Sequence, residues 1–136
     1  MKSKILVDSN VLIDIYSKDS KWYDWSAKNL SQYANKNSFV INPIIYAEIS
    51  FSFNTLFELD KALIATNDIQ LEDLPAHASK FVASSLRTYR KNGGKQRILA
   101  DLLIGAHAYC NKMQLLTRDK GNYRTYFPHV RLISPE

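Results

Sequence analysis

The chain holds a single cysteine, Cys110, so no disulfide can form within it. That agrees with a reducing compartment, and Cys110 reads as a small apolar side chain on a helix rather than as a nucleophile. No apolar run approaches the ~20 residues needed to cross a bilayer. The opening Met1-Lys2-Ser3-Lys4 leads straight into a strand-like run, without the apolar stretch and small-residue cleavage site of a secretory leader. A cytoplasmic address is therefore expected. The three histidines, His77, His107 and His129, are scattered, and neither HExxH nor CxxC occurs, which leaves no ordinary zinc site. Neither a GxxxxGKS/T nor a GxGxxG phosphate loop is present, and no GxSxG nucleophile elbow. With no repeat, low-complexity stretch or linker, the 136 residues, 46% hydrophobic, fit one globular domain over 1–136.

What is present is a basic chain with a few oddly placed acids. Lys and Arg number 18 against 13 Asp and Glu, a net charge of +5. Asp8 ends the run Ile5-Leu6-Val7, and Glu48 follows Ile44-Ile45-Tyr46-Ala47. Asp101 interrupts Ile98-Leu99-Ala100 and Leu102-Leu103-Ile104, and Asp119 comes just after Leu115-Leu116-Thr117. Apolar neighbours predict packed elements, where a lone carboxylate costs several kcal/mol unless it is paired or metal-bound. The four positions suggest one shared cation site. A basic surface around it suits a polyanionic substrate.

Short apolar runs alternate with helical periodicity. Strands are expected at Lys4–Val7, Phe39–Ile41, Ile69–Leu71, Gln114–Thr117 and Val130–Ile133. Helices are expected at Ser9–Tyr16, from a Ser20 cap to about Asn35, and from the Asn42-Pro43 start through Glu48 to Ser52. Others should span about Leu56–Ala65, Pro75–Arg90 ended by Gly93-Gly94, and Ile98–Asn111. Arg118–Asn122 reads as a turn. This order predicts an α/β sandwich of three layers with a mostly parallel sheet of four to five strands. Ligands of such sheets sit beyond the carboxyl ends of the strands, where Asp8 and Asp119 fall.

Hard oxygen ligands suit Mg²⁺ or Mn²⁺, and such an ion can activate water against a phosphodiester. Each acid also has a structural reading: Asp8 or Asp119 as a cap, Glu48 as a solvated helix position, Asp101 turned outward. Asn10 can orient Asp8, and Asp14 reads as outer or solvent-facing. Arg118, Tyr123 and Arg124 interleave cations and an aromatic ring, which suits phosphate clamping and base stacking, with Phe127 expected in the core. Lys91, Lys95 and Arg97 form a second basic loop. A haloacid-dehalogenase-type phosphatase would need an acid where Asn10 stands.

Four segments in order resemble the PIN-domain ribonucleases, and specifically the VapC toxins of type II toxin–antitoxin pairs. They are Ile5-Leu6-Val7-Asp8-Ser9-Asn10-Val11, Asn42-Pro43-Ile44-Ile45-Tyr46-Ala47-Glu48, Ala100-Asp101-Leu102-Leu103-Ile104-Gly105-Ala106-His107-Ala108, and Leu115-Leu116-Thr117-Arg118-Asp119 with Tyr123-Arg124-Thr125-Tyr126-Phe127-Pro128. The resemblance implies Asp8 and Asp101 as principal ligands of Mg²⁺ or Mn²⁺ and Glu48 completing the shell, directly or through water. It implies Asp119 as a fourth, more distant catalytic acid, and Asn10 and Thr117 as supports. It further implies endonucleolytic cleavage of RNA, a homodimer, and silencing by a cognate VapB-like antitoxin. Where many relatives carry Pro-Asp, this chain has Ala100-Asp101. The alternative to an enzyme is a non-catalytic RNA- or protein-binding module of the same fold whose acids are structural.

Overall fold

Five short strands rich in Ile, Leu and Val form the centre of the computed structural model, which describes residues 2–136. They are β1 (Ser3–Val7), β2 (Asn37–Ile41), β3 (Gln70–Leu71), β4 (Gln114–Leu116) and β5 (Leu132–Ile133). Their spatial order is β3-β2-β1-β4-β5, and every pair is parallel. Ile5 lies opposite both Phe39 and Gln114, and Val7 opposite Leu116. Successive strand residues point to opposite faces. Since Ile5, Leu6 and Val7 are all fully buried, both faces of the sheet must be covered, as parallel sheets require. The three-layer α/β sandwich expected from the sequence is the one observed.

The helices are α1 (Ser9–Tyr16), α2 (Tyr23–Tyr33), α3 (Pro43–Ile49), α4 (Leu56–Ala65), α5 (Ala78–Lys91), α6 (Leu99–Cys110) and α7 (Gly121–Tyr126), with a 3-10 turn at Ser50–Ser52. α6 is central: Leu102 and the whole run from Ile104 to Ala108 are buried. Gly105 lets it pass under the Phe127 ring, because a Cβ there would stand 2.5 Å from that ring. The chain lays β2 and β3 on one side of β1, then crosses to lay β4 and β5 on the other. The junction of β1 and β4 is thus the switch point, where parallel sheets open a crevice for ligands.

Several expected boundaries are corrected. The second helix does not start from a Ser20 cap: Asp19 Oδ2 accepts the backbone N–H groups of Lys21 (3.0 Å) and Trp22 (2.8 Å), and α2 begins at Tyr23. α3 gives way to the 3-10 turn after Ile49, so Ser52 does not extend the Glu48 face. α5 opens at Ala78 rather than Pro75, with a turn between them in which the Pro75 carbonyl accepts from the Ala78 N–H. Gly93, at φ 87°, closes α5 as expected. The last helix, α7, replaces what reads in sequence as turn and loop.

Candidate active site

Asp8 stands where the switch point predicts a site. Its backbone N–H donates to the Leu116 carbonyl of β4 at 2.9 Å, and its extended backbone ends β1 and caps α1. Only 4% of the residue is exposed. Oδ1 accepts the Ser9 N–H (2.8 Å), while Oδ2 accepts the hydroxyls of Thr117 (2.8 Å) and Tyr123 (2.9 Å) and the Asn10 amide (3.3 Å). All of these donors are neutral. Burial pushes the carboxyl up to about 6, with the charge of Asp101 adding to the rise and the Thr117, Tyr123 and Ser9 hydrogen bonds opposing it.

The other acids are arranged around it unequally. Glu48, half-buried on α3, accepts from the Ser9 hydroxyl at 2.9 Å, and that hydroxyl also lies 3.4 Å from Asp8 Oδ1. Ser9 thus bridges its neighbour Asp8 to an acid 39 residues further along the chain. Asp101, half-buried in the first turn of α6, accepts from the Asn122 amide of α7 at 3.0 Å. Tyr123 marks the convergence. Burial raises its phenol far above the ordinary range, and the charges of Asp8, Asp101 and Glu48 all push the same way. It is therefore a fixed neutral donor.

Asp119 is not part of that convergence. It is exposed, its Oδ1 accepts the Gly121 N–H at 3.1 Å at the start of α7, and its charge acts on Arg118. Of the four acids set among apolar neighbours in the sequence, only Asp8 is buried. Among the described residues, no three of His, Cys, Asp and Glu close tightly enough to hold one ion as they stand. The donor set nonetheless suits a hard divalent cation, which takes only one or two protein carboxylates and keeps its waters. Asp8 supplies the specific observation: a buried carboxylate, repelled by a second one, with no cationic partner among the described residues.

Three expectations about neighbouring residues are corrected. Tyr123 is only 3% exposed and cannot stack on a base; its work is to hold Asp8. Arg118 is not a free phosphate clamp. Its Nε and Nη2 donate to Asp14 at 2.8 and 3.0 Å, and its guanidinium lies over the Trp22 ring. Asp14 is not solvent-facing but 1% exposed, and also accepts from the Ser26 hydroxyl at 2.9 Å. Arg124, by contrast, is exposed on α7, and Phe127 is in the core. Asn10 sits beside Asp8 and Thr117 and accepts the Arg118 N–H at 3.3 Å.

Ser9 and Asn122 escaped the sequence reading as acid-orienting residues. Ser9 had a signal, adjacent to Asp8 at a strand end. Asn122 had none, because it looked like one more turn residue.

A parallel-sheet sandwich with a buried aspartate at its switch point, and two more acids whose charges reach the same tyrosine, defines an α/β protein with acids gathered at the strand ends. The chain belongs to the PIN-domain family, whose model matches residues 5–128. Among solved structures it is similar to VapBC2 from Rickettsia felis bound to a promoter DNA fragment (TM-score 0.72, 21% identity, covering 96% of this chain and 98% of that one). It is also similar to VapBC-1 from nontypeable Haemophilus influenzae (TM-score 0.71, 18% identity, 96% and 97% covered). A third is DNA-bound VapBC from Salmonella typhimurium (TM-score 0.70, 14% identity, 97% and 98% covered). At these identities the likeness is one of fold. Comparison with curated protein sequences gives no match.

Proposed function

We propose that this PIN domain is a divalent-metal-dependent endoribonuclease acting as the toxin of a VapBC-like toxin–antitoxin pair. The observation that carries the reading is Asp8, a buried carboxylate raised to about 6 beside Asp101, with neutral donors but no counter-charge. Asp8 and Asp101 would hold Mg²⁺ or Mn²⁺, with Glu48 joining directly or through water. A bound ion supplies an activated water and neutralises charge building on the phosphoryl oxygens.

The chain's own residues do the positioning. Thr117, Tyr123 and Asn10 fix Asp8 Oδ2, Asn122 fixes Asp101, and Ser9 sets Glu48 against Asp8. Asp119 is the outermost catalytic acid in this reading. Arg124, exposed on α7, and Arg87, Arg90 and Lys91, lining a surface depression along α5, offer cations for the phosphates of an RNA strand. Similarity in fold to toxin–antitoxin complexes supports a cognate VapB-like antitoxin, and the homodimer follows from the family resemblance. Among the described residues no helix is long and apolar enough to cross a membrane.

One observation favours a second reading, a non-catalytic RNA- or protein-binding module: among the described residues, no three acids close on a single point. The deciding experiment is RNA cleavage by the chain free of any antitoxin, with Mn²⁺ or Mg²⁺ against EDTA. Metal-dependent cuts that vanish in folded Asp8→Asn and Asp101→Asn proteins support the nuclease. Absence of any cut by the wild type with either metal leaves the binding module.

A further inference from the structure

At the end of the sheet opposite Asp8 lies a second concave site that the acids do not touch. It is a cavity of about 570 Å³, within the ~300–1,000 Å³ typical of small-ligand sites. It opens where β4 starts, at Gln114, and just before β5, at Arg131. Buried Met113 and Val130 floor it, and Phe81 and Tyr109, packed edge to face at 5.0 Å, wall it. Its rim carries Lys112, Arg131, His77 and His129, and no carboxylate lines it. Among the described residues, neither Lys112 nor Arg131 forms an ion pair. Glu72, which borders an adjoining depression with them, is engaged by Lys4.

The backbone at Lys112 sharpens the point. Met113 N–H donates to the Ala108 carbonyl (2.9 Å) and Lys112 N–H to the Tyr109 carbonyl (3.4 Å), the two bonds that close a helix through a left-handed residue. Glycine adopts that conformation freely; here it is a lysine at φ 53°. A cation does suit a helix carboxyl end. That accounts for charge at Lys112 but not for Arg131, the two histidines, the aromatic wall or the apolar floor.

We propose that this cavity binds a nucleotide, its base against the Phe81–Tyr109 wall and its phosphate on Lys112 and Arg131. An acidic peptide would use the cations and leave the rings and floor unsatisfied; a neutral apolar ligand would leave the cations so. The nucleotide chemistry could come free or as part of an RNA strand. The site goes beyond the cleavage reading, since it lies away from the acids and needs no ion.

The test is calorimetric titration in EDTA with adenosine 5′-monophosphate, adenosine, inorganic phosphate, salicylate and a short oligoadenylate RNA. Saturable binding of the monophosphate below about 1 mM is expected, with adenosine or phosphate alone weaker by about tenfold or more. Lys112→Gly and Arg131→Ala should each weaken it by about tenfold, and Asp8→Asn should not change it. Lys112→Gly relieves the left-handed lysine while deleting the cation, so lost binding there cannot be blamed on misfolding. Tighter binding of the RNA, with the same sensitivity to both variants, identifies a strand; equal binding identifies the free nucleotide. Salicylate matching the monophosphate, no saturation in the millimolar range, or affinity indifferent to both variants overturns the proposal. Nucleotide binding by a chain that cuts no RNA would remove the nuclease reading and leave this one standing.

Discussion

Two buried aspartates six positions apart in sequence meet opposite fates. Asp14, on α1, is 1% exposed and holds a bidentate Arg118 together with the Ser26 hydroxyl. Asp8, at the head of the same helix, is 4% exposed and meets hydroxyls, an amide and a backbone N–H, but no cation among the described residues. The cost of burying charge is the same in kind at both. Asp14 has its counter-charge built into the chain. Asp8 does not, and a second acid, Asp101, adds to its difficulty. One aspartate finds its counter-charge on folding, and the other finds none among the described residues. That contrast is the physical case for an exogenous cation at the strand ends.

The largest effect should come from Asp8→Asn. It keeps the shape and removes the charge, and RNA cleavage should fall by more than the ~10–100-fold seen on losing an outer partner of a metal site. Gel assay of a labelled RNA with Mn²⁺ measures it; cleavage within tenfold of wild type would break the comparison at its root. Next is Arg118→Met. It strands Asp14 as a buried charge and should cost about 3 kcal/mol, the low end for breaking a buried pair because Arg118 is 30% exposed. The double change Asp14→Leu with Arg118→Met should recover most of that loss. Mg²⁺ should rescue neither single nor double variant in urea melts, since this pair needs no ion.

How much of this was legible without coordinates divides along the same line. Asp8 was visible because it ends an apolar run, and the bounds of α1 and α4 follow from periodicity alone. A mostly parallel sheet follows from alternating strands and helices, and every pair proves parallel. Asp14 was misread because its partner lies 104 residues away, and no local pattern announces a long-range ion pair. Tyr123 was misread for the same reason: a Tyr among Arg residues looks like a stacking surface until its hydroxyl is seen on a carboxylate 115 positions earlier. α7 was hidden by Gly121 and Asn122, which locally favour a turn, while Tyr123 and Phe127, which both pack inward from it, are only four positions apart. Asp119 was read at its place past the strand end, in a turn, and it is there that it meets water; its apolar neighbours belong to β4 and not to its own surroundings.

A third prediction sharpens the contrast through pH. Asp8 titrates at about 6 in the fold against an ordinary 3.8. A group whose folded value is raised contributes stability that is full below its unfolded value and is lost as pH rises through the folded one. In EDTA, Asp8→Asn should therefore be the more stable protein at pH 7.5, by an amount on the order of 3 kcal/mol from a difference of about two units. The gap should close as pH falls from about 7 toward 4. Burial lowers His107, so acid destabilises both proteins through that group, and the difference between them isolates Asp8. Saturating Mg²⁺ at pH 7.5 should raise the melting temperature of wild type and not of Asp8→Asn. A gap that is flat with pH would mean that the Asp8 charge is compensated within the chain after all, as that of Asp14 is.

The smallest effect is expected from Tyr123→Phe, which keeps the buried ring and deletes one donor to Asp8 Oδ2. A hydrogen bond to a charged group is worth about 1.5–3 kcal/mol, and Thr117 still donates to the same oxygen. The loss should therefore sit near the lower bound, about one unit of pKa at Asp8. With less support for the carboxylate, Asp8 should titrate higher. In EDTA, the rise in stability on acidification should begin about one unit higher in pH than in wild type, and cleavage at pH 7 should drop about twofold, the loss widening as pH falls toward 6. Raising the pH should restore much of that cleavage, because it restores the charged form. A role in stacking on RNA predicts something different: a higher KM at every pH, no shift in the stability profile and no recovery in base. The two profiles therefore separate a tyrosine that holds the uncompensated aspartate from one that touches substrate.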